Sequence, residues 1–425
     1  MTTRSGNGAI ALTAAAALAP WLLVPAVGAA AVAPAASTVQ MAPDTASAQV
    51  LAPGVHQVAI SDQAGYFAVE RTIPGSTLWV GETVVTANPG NGDLLLAAVK
   101  ENLDDCGWSS PGVVDDLISD HEFRTGVVNS GDCTDEDVVY IRNEPGSGSN
   151  FSGETLQVAV WEEPPVADAG LLPPASAQVR WDGDRREDKG RITLGSDFAS
   201  APDLSNGSWQ VRLYPGRTAL AKVPLEWGQH LQATLSHPGY EDGVGFSGKE
   251  PFDVEPRLIT PLGGEGNWAE AKPSRSGSKP PINHALYVSD YPRSSGAVSP
   301  VIQWKNRTDP TLNPAAFPGT YYVSLRIDAD VELPEVMNGA VDVTLDIGVF
   351  GEPATGSPYA KTPADLPDFK AAAAESAGDA DADDASDPSE PAWGVVGGLG
   401  AIAVGMTAAG GALLVRWRRL TGRAR

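Results

Sequence analysis

Two stretches late in the chain alternate apolar and polar residues with a period of two. Val341, Val343, Leu345, Ile347 and Val349 oppose Asp342, Thr344, Asp346 and Gly348, and Tyr321, Val323, Leu325 and Ile327 oppose Tyr322, Ser324, Arg326 and Asp328. This period sets one face on a core and the other in water, the mark of an antiparallel sheet. Similar strand character runs through Tyr66–Ile73, Thr77–Thr86, Asp93–Lys100, Asp137–Arg142 and Thr155–Trp161. No long 3.6-residue pattern is sustained between 61 and 350, and Ser110–His121 is read as one short helix. The expected fold is all-β, with two antiparallel β-sandwich domains at 61–165 and 178–350.

The two segments open and close alike. Tyr66–Ile73, Gly75 and Leu78-Trp79-Val80 match Thr218–Leu225, Gly228 and His230-Leu231-Gln232. The run Leu156-Gln157-Val158-Ala159-Val160-Trp161 matches Val343-Thr344-Leu345-Asp346-Ile347-Gly348. Internal duplication and a shared sandwich grammar both account for this.

The ends carry different signals. Residues 1–29 read as a signal peptide: Arg4, an apolar run from Ala9 to Val27, then small residues at Gly28 and Ala29. Trp393–Val415 has no charge and spans about 34 Å as a helix, enough for a hydrocarbon core of about 30 Å. Arg416, Arg418 and Arg419 follow at once, which places that end on the cytoplasmic side. The expected arrangement is a single-pass protein with an extracytoplasmic N-terminal ectodomain and a basic tail at 416–425. Residues 30–60 are expected to be a flexible N-terminal segment, and 351–392 an acidic Ala/Pro/Asp linker. Small residues four apart in the span, such as Gly394 and Gly398, also suit helix association.

Composition narrows the function. Among 425 residues, 53 acids against 29 Lys and Arg give a net charge of −24, which repels phosphate backbones and excludes nucleic-acid partners. A hydrophobic share of 42% excludes wholesale disorder, and 46 Gly with 35 Pro favour short strands joined by turns.

Phe317-Pro318-Gly319-Thr320-Tyr321-Tyr322-Val323, with upstream Val223-Pro224-Leu225-Glu226-Trp227-Gly228-Gln229-His230-Leu231, resembles the bacterial pre-peptidase C-terminal-type module. It is also similar to ectodomain modules beside von Willebrand A-type domains in envelope proteins of high-GC Gram-positive bacteria. The resemblance implies a jelly-roll-like β-sandwich at the cell surface and carries over no active site.

Candidate chemistry is sparse. Cys106 and Cys133 are the only cysteines and are expected to form a disulfide outside the membrane. Asp182, Asp184 and Asp188 give an oxygen-rich run that could collect calcium, though Arg185 and Arg186 within it favour a polar turn. No H-E-x-x-H or G-x-S-x-G motif is present, and Ser276-x-x-Lys279 lies in a Pro-rich loop that cannot hold the helix such a pair needs. Trp108 and Trp268, with Lys272, Arg275 and Lys279, are candidate contacts for a wall polymer. The expected function is a non-catalytic binding or scaffolding module, partnered by other envelope proteins or wall polymers. The alternatives are a carboxylate-based hydrolase, whose paired acids leave no local signature, and an accessory subunit docking through its membrane helix.

Overall fold

A computed structural model of the chain describes residues 38–369 apart from several segments, the longer ones being 87–93, 107–113, 146–150, 182–186, 240–250 and 273–285. The fold is all-β. The first half holds β1 (Val39–Gln40), β2 (Val50–Leu51), β3 (Gly54–Ala59), β4 (Gly65–Glu70), β5 (Thr77–Thr86), β6 (Leu94–Val99), β7 (Val114–Ile118), β8 (His121–Asn129), β9 (Val138–Pro145) and β10 (Thr155–Glu163). The second half opens with β11 (Gln178–Arg180), β12 (Asp188–Arg191), β13 (Gly207–Leu213), β14 (Ala219–Leu225), β15 (His230–His237) and β16 (Phe252–Ile259). It continues with β17 (Glu265–Gly266), β18 (Glu270–Lys272), β19 (Leu286–Val288), β20 (Arg293–Val298), β21 (Gly319–Arg326) and β22 (Val341–Phe350).

Four larger sheets result: A (β1-β3-β10-β5-β8-β7), B (β2-β4-β9-β6), C (β12-β13-β22-β15-β20) and D (β14-β21-β16-β17). They are mixed rather than purely antiparallel, because β1, β2 and β12 join as short parallel edges on β3, β4 and β13. Alternation decides which side chains face inward. Val341, Val343, Leu345 and Ile347 of β22 join Val211, Leu231, Leu235, Val323 and Leu325 in a core between sheets C and D. Val58, Val80, Val158 and Val160 of sheet A meet Phe67, Val69, Ala98 and Ile141 of sheet B in the equivalent core of the first half.

The halves are structural repeats. Val158 faces His56 on β3 and Glu82 on β5, while Leu345 faces Trp209 on β13 and Leu235 on β15. Leu78 N–H donates to Ser130 Oγ while Ser130 N–H donates to the Leu78 carbonyl; Leu231 and Ser299 repeat both bonds. Even a connecting turn is copied. Asp44 Oδ1 accepts from Ser47 N–H and Oγ–H, and Asp197 Oδ1 accepts from Ser200 N–H and Oγ–H.

The repeats stack asymmetrically. Trp79, Ala159 and Trp161, on the outer face of sheet A, form one apolar cluster with Leu220, Ile259 and Tyr322 on the outer face of sheet D. Phe317 sits edge-on to Trp79 and Trp161, at 5.1 and 6.1 Å between ring centroids. Gly81 lets the backbones close, since a Cβ there would lie 2.0 Å from the Leu262 carbonyl oxygen. At the rim, Glu163 accepts from Trp79 Nε1 (2.8 Å), the Tyr359 hydroxyl (2.8 Å) and the Arg307 guanidinium. Arg307 also donates to the carbonyls of Trp304 and Ala316 and lies over the Trp304 ring.

Three expectations change. Within the helix expected at Ser110–His121, Val114–Ile118 is a strand, paired with β8, because five residues gain far more from an existing strand edge than from an isolated helical turn. The segment at 30–60, expected to be flexible, carries structure over its described part: β1 to β3 belong to the sheets, and Val39, Leu51 and Val58 are buried in the core. The linker expected at 351–392 does not begin at 351. Tyr359, Leu366 and Phe369 fill the seam between the repeats, and Trp161 Nε1 donates to the Ala364 carbonyl. The signal peptide and the Trp393–Val415 span lie outside the described residues. Among those described, no helix is long and apolar enough to cross a membrane.

The seam should behave as part of one cooperative unit. Arg307→Ala strands a carboxylate that is 3% exposed, and is expected to cost about 3–5 kcal/mol in urea denaturation followed by tryptophan fluorescence. A loss under roughly 1 kcal/mol, the scale of a surface pair, would show that the rim contact is solvated and the halves unfold separately.

Candidate functional site

Repetition makes one difference informative. Where sheet A carries Trp79, Gly81, Ala159 and Trp161 against its neighbour, the same positions of sheet C are Gln232, Thr234, Asp346 and Gly348. The outer face of sheet C is therefore polar where its counterpart is apolar and covered. Its lower end is capped by the parallel pair β11-β18, where Val179 and Ala269 pack on Val298. Its upper end opens into a cleft of about 510 Å³.

Four side chains cross the cleft floor in a straight row, one from each of four adjacent strands. Gln210 on β13 stands opposite Thr344 on β22, Thr344 opposite Ser236 on β15, and Ser236 opposite Ser294 on β20. Gln210 Nε2 donates to Thr344 Oγ1 at 2.9 Å, which fixes the first step of the row. Pro238, Pro292, Arg293 and Asp342 also line the cleft. Arg212 grips Asp342 with two hydrogen bonds of 3.0 and 2.7 Å, and Arg191 lies 3.7 Å away. The Arg212 bonds outweigh partial burial and hold the Asp342 carboxyl below its ordinary pKa. His237 is buried, and its Nδ1 accepts from Gly239 N–H at 3.1 Å. Burial draws its pKa below the ordinary imidazole value.

The row offers hydrogen-bonding chemistry. Hydroxyl and amide groups supply both donors and acceptors, and the one lining carboxylate among the described residues is neutralised by guanidinium. Deeper carboxyls serve the framework. Glu162 accepts from Thr72 N–H, Thr72 Oγ1, Ile73 N–H and Ser76 Oγ at 2.5–2.8 Å. Burial opposes its charge, and these bonds prevail, so its pKa falls. Glu82 is sealed in the core of the first half beside Asn143 (2.9 Å), and burial lifts its pKa from 4.5 to about 7. The second repeat has Leu235 and Leu325 at these two positions.

The residues singled out from sequence scatter. Cys106 and Cys133 form the expected disulfide, Cα to Cα 5.0 Å, both buried. Trp268 packs against the core of the second half and donates Nε1–H to the Pro256 carbonyl (2.8 Å), which makes it a structural side chain. Lys272 ends β18, in register with Arg180. Trp108, Arg275 and Lys279 lie outside the described residues, as do Asp182 and Asp184. Asp188 caps its own turn by accepting from Gly190 N–H. Among the described residues no group of three acids, histidines or cysteines gathers to hold a metal. The row on sheet C was missed because its members come from four separate strands. The Asp342/Thr344 alternation was its one visible trace.

No protein-family model matches the chain, and no curated protein matches it. Among solved structures, the plant receptor-like kinase ANX1 is 10% identical over 69% of this chain and 84% of its own, with a TM-score of 0.18. A protein described as PNGF-II is 10% identical over 76% of this chain and 64% of its own, at 0.16. Overlaps this loose add nothing to the strand registers.

The buried acid has a measurable consequence. Between pH 4.5 and about 7 the unfolded chain has lost the Glu82 proton while the folded chain keeps it. Stability from this group is therefore complete below 4.5 and is lost as pH rises through 7, by about 1.4 kcal/mol per unit within that window. His230, lowered to about 4 by burial, and His237 act with the opposite sign over part of the same range. The test is accordingly the difference between wild type and Glu82→Gln, which should grow with pH from 4.5 to 7 in urea titrations. A flat difference would mean that Glu82 reaches solvent.

Proposed function

We propose that the chain is an exported, single-pass envelope protein that presents two jelly-roll-like β-sandwich modules outside a membrane as a non-catalytic binding head. The anchor half of this reading rests on sequence: the 1–29 leader pattern, the uncharged Trp393–Val415 run and the arginines directly after it. A disulfide buried within the first repeat suits an oxidising compartment. The resemblance to envelope ectodomain modules points the same way.

The observation that carries the binding half is the contrast between matching faces. Sheet A spends its outer face on the seam, whereas sheet C keeps a polar cleft with an ordered row of hydrogen-bonding groups. Among the described residues, Glu82 is committed to the core and Glu163 to the seam, and Asp342 is tied by Arg212.

Fractionation of cells making the full chain tests this reading. The protein should pellet with membranes, resist alkaline extraction, dissolve in detergent, and be digested by protease added to cells stripped of wall. Deleting 393–415 should release it outside the cell. Recovery of the intact chain as soluble cytosolic protein contradicts the proposal.

A further inference from the structure

The row Gln210–Thr344–Ser236–Ser294 has a direction that its members' chemistry makes useful. It runs across the strands, so successive side chains are set one strand spacing apart, about 4.8 Å. Each hydroxyl or amide both donates and accepts. A ligand lying along the row must therefore be linear and must offer donors and acceptors at short, regular intervals.

Peptides meet this poorly. An extended peptide gains most from unpaired backbone at a sheet edge, and three members of the row lie on strands paired on both sides. A polysaccharide chain meets it well, because every ring repeats its hydroxyls. The border adds a charge requirement. Arg293 is exposed at the end of the row and forms no ion pair among the described residues. Asp342, by contrast, is already paired with Arg191 and Arg212. On a chain of net charge −24, Arg293 is a cation placed beside the row, and a guanidinium fork matches a carboxylate.

We propose that the outer face of sheet C binds a linear, carboxylate-bearing glycan laid across its strands, with hydroxyls on Gln210, Thr344, Ser236 and Ser294 and a carboxylate on Arg293. The first repeat supports the assignment to one face only. Its corresponding row, Gln57–Gln157–Thr83–Thr125, runs along the sheet that carries the seam, and Thr83 is buried. This inference rests on the binding-head reading and names its ligand class.

The test uses the full chain in detergent with three polymers, followed by calorimetry. They are polygalacturonate, its fully methyl-esterified form and polyglutamate. Polygalacturonate should bind most tightly, the ester more weakly, and polyglutamate weakest. Ser236→Val with Thr344→Val should weaken both glycans at least about tenfold. Arg293→Gln should weaken polygalacturonate roughly fivefold, flatten its salt dependence and leave the ester unchanged. Ser294→Ala, at the exposed edge, provides a variant whose folding is not at risk, and it should weaken both glycans. Equal binding of polyglutamate, absence of glycan binding, or variants that bind like wild type at unchanged melting temperature would each overturn the proposal. If the protein still fractionates with membranes in that event, the envelope reading stands and only the ligand class falls.

Discussion

Gly81 lacks a side chain, and the arrangement of the molecule depends on that. A strand in sheet A can lie against the Leu262 backbone only because no Cβ stands between them. The contact brings Trp79 and Trp161 onto Phe317, Tyr322 and Leu220, and so joins two repeats that each have their own core. The last described residues, with Tyr359, Leu366 and Phe369, pack into the same seam. Glu163 and Arg307 make the rim specific, because a buried charge tolerates no approximate partner.

The same position differs between the repeats. In the second repeat Thr234 replaces Gly81, while Gln232 and Gly348 replace the two tryptophans. A further repeat laid on sheet C in the same way would meet Thr234 where sheet A offers Gly81 and the Asp346 carboxylate where sheet A offers Ala159, which costs more than the apolar contact returns. The outer face of sheet C is thus shaped as an end of the stack, and a polar end is free to meet something else. The core shows a parallel contrast. The first repeat buries Glu82 and Asn143 where the second has Leu235 and Leu325, so the first half carries a polar liability that the second has shed.

Much of the strand framework was legible. Thr77–Thr86 and Val341–Phe350 are strands with the bounds that alternation and turn residues gave, and the matched openings and closings mark equivalent strands. The seam was not legible. In Thr77–Thr86 and Thr155–Glu163 both faces are apolar, and periodicity cannot tell a second core from a contact between modules. Composition misled at both ends of the described region. Ala, Pro and Ser around 38–52 looked like spacer, yet Val39 and Leu51 are core residues. Residues 351–369 looked like tether until three aromatic and aliphatic side chains proved to have a socket. The polar row could not be read at all, because its order exists only across strands.

The central claim is that the repeats are bound through the Gly81 contact and its aromatic cluster. A double-mutant cycle between Trp79 and Phe317, whose rings meet edge to face at 5.1 Å, measures this directly. The account predicts a coupling energy of about 0.5–1.5 kcal/mol beyond the sum of the single losses. Strictly additive losses would mean that the two rings do not meet in solution and that the stacked arrangement is wrong.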